Sequence, residues 1–173
     1  MDDVTALAIA ARDGDRVALS AFVRATQPEV WRLCAALASK GDADDLTQDT
    51  YVRAFRALPS FRGDSSARTW LLAIARHAAL DGIRISQRLR RLSAAVGGAA
   101  RTVEPDPAGL VGARALVRSL DPERRTAFVL TQVLGLSYAE AAEVCGCPVG
   151  TIRSRVARAR ADLIGDAREA ASP

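Results

Sequence analysis

Apolar residues recur at three- and four-residue intervals along nearly the whole chain. No segment shows the strict alternation of apolar and polar residues that marks a half-buried strand. The apolar residues are mostly Ala, Leu and Val, and aromatic residues make up only 5% of the sequence. Because such small residues pack close helices better than broad sheets, the sequence predicts an all-α fold.

The character of the sequence changes over residues 93–107. This stretch holds two glycines and two prolines and has little helical pattern, which is typical of a flexible linker. We therefore expect two small helical domains, 1–92 and 108–173, joined by the linker 93–107. The pattern predicts helices over 3–12, 16–26, 28–39, 43–58, 67–90, 108–119, 122–134, 138–145 and 149–164, with a break at 27–28.

Charge and cysteine content narrow the functional classes. The net charge is +4 and Lys40 is the only lysine, so the basic residues are almost all arginine. Arginine suits phosphate and guanine edges, although a GC-rich genome would also favour it. Cys34, Cys145 and Cys147 lack the pattern of a disulfide framework or zinc site and are expected to be free thiols. No signal peptide or membrane-length apolar run is evident, so we expect a cytoplasmic protein without a membrane partner.

No arrangement of residues points to catalysis. His77 is the only histidine and lies in the middle of a predicted helix among alanines. The chain has no phosphate-binding glycine loop, and the acidic segment 42–49 lacks the glycine and terminal glutamate of a calcium loop. We therefore expect no enzymatic activity, no catalytic residue, no cofactor and no metal site.

Residues 134–163 carry the strongest local signal. Ser137 and Glu140 have the spacing of a capping box at the start of a short helix. Gly146 suits the turn that ends this helix, and Pro148 suits the start of the next one. A helix, a short turn with glycine and a second helix predict a helix-turn-helix motif.

The second helix of this motif has two different faces. Val149, Ile152, Val156, Ala159 and Leu163 recur at helical spacing and are expected to be buried. The opposite face is small, polar and basic, with four arginines and no acid between 151 and 160. Such a face can enter a DNA major groove, although a solvated face of a packing helix is the alternative. The residues concerned are Gly150, Thr151, Arg153, Ser154, Arg155, Ala157, Arg158 and Arg160.

Three segments together identify a family resemblance. LGLSYAEAAEVCGCPVGTIRSRVARAR resembles the promoter-reading fourth region of extracytoplasmic-function (ECF) sigma factors, group 4 of the sigma-70 family. DADDLTQDTYVRAFRALPSF resembles their polymerase-binding second region, and ARTWLLAIARHAALDGIR resembles the helix beside the melted promoter. The chain departs from the common pattern at Thr47, His77 and Ala157, and the last of these affects only which promoter would be preferred.

The resemblance implies that the helix 45–58 binds the clamp coiled coil of the large subunit of core RNA polymerase. From the residues, Thr47, Tyr51, Ala54, Phe55 and Leu58 should face inward, with Leu46 exposed beside a mixed-charge stripe. An ordinary solvated face is the alternative. The implied polymerase contacts are Asp45, Leu46, Gln48, Asp49 and Arg53.

The resemblance also implies two contacts with promoter DNA, one with separated strands and one with duplex. In the first, the loop 61–66 holds an unstacked base of the minus-ten element, with Phe61 or Trp70 available for stacking unless they pack in the core. Arg84 and Arg88 would meet DNA phosphates or line the nucleic-acid channel of the polymerase. The implied minus-ten residues are Phe61, Gly63, Asp64, Ser65, Ser66, Arg84 and Arg88.

In the second contact, the last helix reads the minus-thirty-five duplex. Arg153, Ser154 and Arg158 would reach bases, whereas Arg155 and Arg160 would bind phosphates. The implied minus-thirty-five residues are Thr151, Arg153, Ser154, Arg155, Ala157, Arg158 and Arg160.

The predicted function is a sigma factor that carries core polymerase to its promoters. The alternatives are a free-standing helix-turn-helix regulator and a polymerase-binding decoy without sequence-specific DNA affinity. Because many family members are held by an anti-sigma factor, such a partner is an expectation of the resemblance.

Overall fold

The computed structural model describes residues 2–38, 40–95 and 110–170, and within them it is helical without a β-strand. This confirms the all-α prediction. Short helical turns at Lys40–Asp42 and Leu58–Ser60 flank the third helix, and a π-helical turn at Val129–Val133 continues the sixth. The helices are α1 Asp3–Arg12, α2 Arg16–Leu37, α3 Ala43–Ala57, α4 Ala67–Ala95, α5 Leu110–Ser119, α6 Pro122–Phe128, α7 Tyr138–Cys145 and α8 Val149–Ala170.

Helices α1 to α4 form the first domain, and α4 is its central element. Helix α4 contacts α1, α2 and α3, and its residues Leu71, Leu72, Ala75 and Ala79 are buried. Of the linker expected over 93–107, residues 93–95 belong to α4, and the remainder lies outside the described residues.

The predicted break at residues 27–28 is wrong, because α2 runs through Pro28 without interruption. A proline inside a helix removes one backbone hydrogen bond and costs about 3 kcal/mol. Buried side chains on both sides of it offset this cost, since Phe22 lies in the core before the proline and Val30 and Leu33 lie there after it. One continuous helix buries all three side chains.

Helices α5 to α8 form the second domain, which packs against the first. Helix α7 lies on α4, the end of α2 meets α5 and α6, and buried side chains of both domains form one hydrophobic cluster. Arg68 of α4 makes a two-bond ion pair with Glu29 of α2, at 2.7 and 2.9 Å, and also donates to the backbone oxygen of Leu134 at 2.7 Å. Arg76 of α4 meets Glu123 of α6 at 3.2 Å.

No helix in the described part of the chain is both long enough and apolar enough to cross a membrane.

Candidate nucleic-acid and protein interfaces

The helix-turn-helix motif has the local geometry that its sequence predicts. Ser137 accepts a hydrogen bond from the backbone N–H of Glu140 at 3.2 Å, and the Glu140 carboxylate accepts one from the backbone N–H of Ser137 at 2.8 Å. Gly146 ends α7 in the left-handed conformation, with φ of 61°, which glycine adopts without strain. Helix α8 then begins at Val149, directly after Pro148.

Helix α8 separates into a buried and an exposed face almost as predicted. Ile152, Val156 and Ala159 are fully buried, whereas Val149 is exposed, contrary to its expected place in the packing stripe. Val149 is the first residue of the helix. The exposed side carries Gly150, Arg153, Ser154, Ala157, Arg158 and Arg160, and Thr151 and Arg155 are half-buried beside it.

The four arginines of α8 between residues 151 and 160 fall into two pairs. Arg155 forms a 2.8 Å ion pair with Glu123, and Arg160 donates to the Gln132 side chain at 2.7 Å. Within the described residues, no ion pair joins Arg153 or Arg158 to another side chain. Arg153 and Arg158 are therefore the two arginines of this segment whose positive charge is least compensated by other side chains of the protein.

The exposed face of α3 differs from the predicted one. Asp45, Gln48, Val52 and Phe55 recur at steps of three and four residues along it, and we call these four residues the α3 face. Val52 is 46% exposed and Phe55 42% exposed, so the prediction that Phe55 packs inward is wrong. The α3 face is thus acidic and polar at its start and apolar at its end.

Leu46 was expected to be an exposed docking residue, and this prediction is also wrong. Its side chain is 8% exposed and lies over Gly82 of α4, where an added Cβ would come within 2.8 Å of Leu46 Cδ2. Because Gly82 leaves this space open, α3 and α4 approach closely and enclose Leu46. The residue therefore supports the position of α3 from inside the domain.

Asp49 and Arg53 lie half-buried beside the α3 face and are joined by the i,i+4 ion pair that their spacing predicts, at 2.9 Å. Arg53 also donates to Asp81 of α4 at 2.8 Å. This hydrogen bond lowers the pKa of the Asp81 carboxyl. Arg53 thus links α3 to α4 and has fewer donors left for a partner than its sequence position suggests.

The loop 61–66 separates into buried and accessible residues. Phe61 is 5% exposed, and its ring lies 4.9 Å from that of Trp70, so the prediction that Phe61 is available to stack on a base is wrong. Leu58, three residues before Phe61, is also buried. Phe61 adds one more side chain to the same hydrophobic core. Trp70 is half-buried on the same cluster.

The polar part of the loop is closer to expectation. Gly63 has φ of +78°, a left-handed conformation that side chains rarely adopt, and Asp64 is exposed and pairs with Arg62 at 3.2 Å. Ser65 is half-buried. The Ser66 hydroxyl accepts from the backbone N–H of Thr69 at 3.1 Å, so it caps α4. Arg84 and Arg88 lie exposed farther along α4.

Comparison with known proteins matches both domains to one family. The family description "Sigma-70 region 2" matches residues 22–89, and "Sigma-70, region 4" matches residues 111–163. The chain is 53% identical over 172 residues to the ECF RNA polymerase sigma factor SigC of Mycobacterium tuberculosis, covering 95% of this chain and 91% of that protein. The chain is an ECF sigma factor. It binds core RNA polymerase and directs promoter-specific initiation of transcription.

More distant relatives of this sigma factor support the same family assignment. The ECF RNA polymerase sigma-E factor of Escherichia coli K12 is 36% identical over 164 residues, with 85% of each chain covered. Among solved structures, CnrH in complex with the cytosolic domain of CnrY has a TM-score of 0.77 at 29% identity, covering 99% of this chain and all of that one. The sigma factor RpoE of Bartonella quintana, solved with the anti-sigma factor NepR, has a TM-score of 0.71 at 30% identity, covering 84% and 93%.

Arg125 of the sigma factor is a structural residue that the sequence did not reveal. It is half-buried and donates to the backbone oxygens of Leu37 at 3.1 Å and Leu120 at 3.0 Å, and also to that of Arg118. These carbonyls lie at the ends of α2 and α5, where helices leave acceptors without intrahelical partners. Burial lowers the pKa of the Arg125 guanidinium from its usual very high value. One side chain thus caps helices of both domains.

The cysteines of the sigma factor are free thiols, as expected, and Cys34 is buried. Burial raises the pKa of the Cys145 thiol to about 11, so this thiol is protonated at neutral pH. Within the described residues, no cluster of three or more His, Cys, Asp or Glu side chains is arranged to hold a metal ion.

Proposed function

We propose that three surfaces of the sigma factor divide the work of initiation. The α3 face docks on the clamp coiled coil of the large polymerase subunit. The loop 61–66 and the following α4 capture the separated minus-ten strand, and α8 reads the minus-thirty-five duplex. The observation that carries the proposal is the exposed basic side of α8 between residues 151 and 160, a segment without an acid that belongs to a capped and well-packed helix-turn-helix.

Docking through the α3 face is supported by its composition. An exposed aromatic and valine next to an acid and an amide give apolar area together with polar contacts that fix orientation, as in many protein interfaces. Asp45 and Gln48 would supply the polar contacts, and Val52 and Phe55 the apolar ones. Asp49 and Arg53 would border them.

The double variant Asp45→Arg/Gln48→Ala is expected to bind core polymerase about tenfold more weakly or worse, since it loses a charged and a neutral hydrogen-bonding group. Its fold should remain intact, because both side chains are exposed. Binding can be measured by titrating labelled sigma factor with core enzyme. Asp3→Arg is the matched control, because it reverses an exposed acid in the first turn of another helix. Equal affinities of the double variant and the control would exclude docking through α3.

Strand capture by the loop is supported by the accessible side chains of Asp64 and Ser65. The Asp64 carboxylate and the Ser65 hydroxyl can bond to base edges that are exposed only after the strands separate. Gly63 supplies the left-handed backbone conformation that precedes these two residues. Phe61 is proposed only as a buried support, and Arg84 and Arg88 as phosphate contacts.

The variant Asp64→Ala/Ser65→Ala is expected to reduce open-complex formation about tenfold, the loss of two hydrogen bonds, with closed-complex binding unchanged. Ser66 is kept, because it caps α4. Permanganate reactivity of unpaired thymines measures opening. Arg62→Gln is the control, because it removes the Arg62–Asp64 ion pair but retains the carboxylate. Normal thymine reactivity in the double variant would remove the loop from the mechanism.

An anti-sigma factor is proposed as a further partner. Both solved structures described above are complexes: the Bartonella structure holds the sigma factor RpoE with the anti-sigma factor NepR, and the other holds CnrH with the cytosolic domain of CnrY. The similarity covers both domains of this chain. Affinity purification of the tagged sigma factor from its own cells, with core polymerase removed, would isolate such a partner.

A further inference from the structure

Helix α1 holds the loop 61–66 at both ends and in the middle. At the start, Arg12 Nη1 donates to the backbone oxygen of Phe61 at 3.0 Å. At the end, the Thr5 hydroxyl accepts from the backbone N–H of Ala67, at 2.9 Å in a buried position. Between them, Ile9 lies directly under Gly63, where an added Cβ would come within 3.3 Å of Ile9 Cδ1.

The Thr5 contact is fixed from within α1. Thr5 donates its only hydroxyl hydrogen to the Asp2 carboxylate at 2.7 Å, and its backbone N–H donates to the same carboxylate at 2.9 Å. A threonine hydroxyl has one hydrogen to donate and can accept two bonds. The Thr5 oxygen is thus oriented as an acceptor, which is what the first N–H of α4 requires.

The Arg12 contact is fixed in a similar way. Its Nε donates to Asp13 at 2.8 Å, and this orients the guanidinium so that Nη1 reaches Phe61. Arg12 and Phe61 are 49 positions apart in the sequence, and Thr5 and Ala67 are 62 positions apart. Neither bond is needed to form α1, whose own N-cap is supplied by Asp2.

We propose that Thr5, Ile9 and Arg12 are positioning residues for capture of the minus-ten strand. They hold the loop in one conformation before DNA arrives, so that binding a base does not also require the loop to be ordered. The inference rests on the proposed role of the loop. It places the determinants of minus-ten selectivity partly in a helix outside the loop and outside the residues that meet DNA.

The test uses the full-length sigma factor assembled with core polymerase and a promoter library randomised in the minus-ten element. Arg12→Gln and Thr5→Val should each lower open-complex formation by about five- to tenfold, the effect of losing the one hydrogen bond that each side chain makes to the loop or its end. They should also flatten the base preference at minus ten. Affinity for core enzyme and for the minus-thirty-five duplex should stay unchanged.

Conservative variants separate positioning from general stability. Arg12→Lys keeps one donor for Phe61 and Thr5→Ser keeps the hydroxyl, so both should restore most of the base preference. Arg16→Gln is the charge-matched control, because Arg16 is exposed at the start of α2. Thermal melting by circular dichroism identifies any variant that fails to fold. For such a variant, the minus-ten preference of Arg12→Lys or Thr5→Ser decides whether the residue positions the loop.

Two results would overturn the inference. One is an unchanged minus-ten preference in folded Arg12→Gln and Thr5→Val proteins, and the other is an equal loss on every promoter sequence. The Asp64→Ala/Ser65→Ala variant, measured in parallel, separates the two hypotheses. If it alone impairs opening, α1 is not a positioning element. If it opens promoters normally, the proposed role of the loop itself is wrong.

Discussion

Arg158→Ala is expected to lower affinity for the preferred minus-thirty-five element by roughly ten- to a hundredfold and to relax specificity at one base position. Arg158 is exposed on α8, and no ion pair with another described residue holds it. A bidentate contact between arginine and a guanine edge is worth about 1–3 kcal/mol of discrimination. Fluorescence anisotropy on duplexes randomised in this element, at one fixed salt concentration, measures both effects.

Arg160→Ala is the matched comparison from the same helix. Arg160 and Arg155 are assigned to phosphates and have protein partners, Gln132 and Glu123. Loss of either is expected to weaken binding evenly across sequences and to reduce the salt dependence by about one phosphate contact. Arg153 and Arg158 variants that keep the wild-type sequence preference would show that α8 does not read this element.

Ile152→Asp is expected to unfold the second domain. Ile152 is fully buried on the packing side of α8. The change removes its apolar contacts and places an unpaired carboxylate in a small core, at a cost on the order of 4 kcal/mol or more. Because small domains are stable by only about 5–15 kcal/mol, this is a large share of the total. Loss of the cooperative thermal transition and of duplex binding would show that the second domain has unfolded.

Ser154→Asp separates stability from recognition in the same helix. Ser154 is exposed two residues away, so the new carboxylate stays solvated, and stability should change by no more than about 0.5 kcal/mol. Duplex affinity should still fall, because the charge opposes phosphate binding. A wild-type melting temperature for Ile152→Asp would contradict the assigned packing of α8.

The features that the sequence predicted correctly are those that depend on near neighbours in the chain. Helix α7 begins and ends at the predicted residues, because Ser137 and Glu140 satisfy each other three residues apart and Gly146 needs no side chain from elsewhere. The same holds for the Asp49–Arg53 pair and for Pro122 at the first turn of α6. Family resemblance added the assignment to sigma-70 regions 2 and 4, and the family matches confirmed that assignment.

The errors arose where helices meet. Periodicity gives the angle of each side chain around its helix but not the number of neighbours around that helix. Because α3 packs against both α2 and α4, its buried arc is shifted toward Leu46, and Phe55 is left outside. Pro28 shows the same limit, since the buried side chains on either side of it outweigh its local preference for a break.

By itself, the sequence determined the helical class, the local chemistry of the helix-turn-helix and the basic face of α8, since each is encoded within a few residues. Only the tertiary structure decided which side chains of α3 are exposed, that Phe61 is buried, and that the two domains pack together through Arg68, Arg76 and Arg125. It also joined α1 to the loop 61–66. An arginine or a threonine looks the same in sequence whether it faces water or a distant carbonyl or N–H, and only the packing of helices selects its partner.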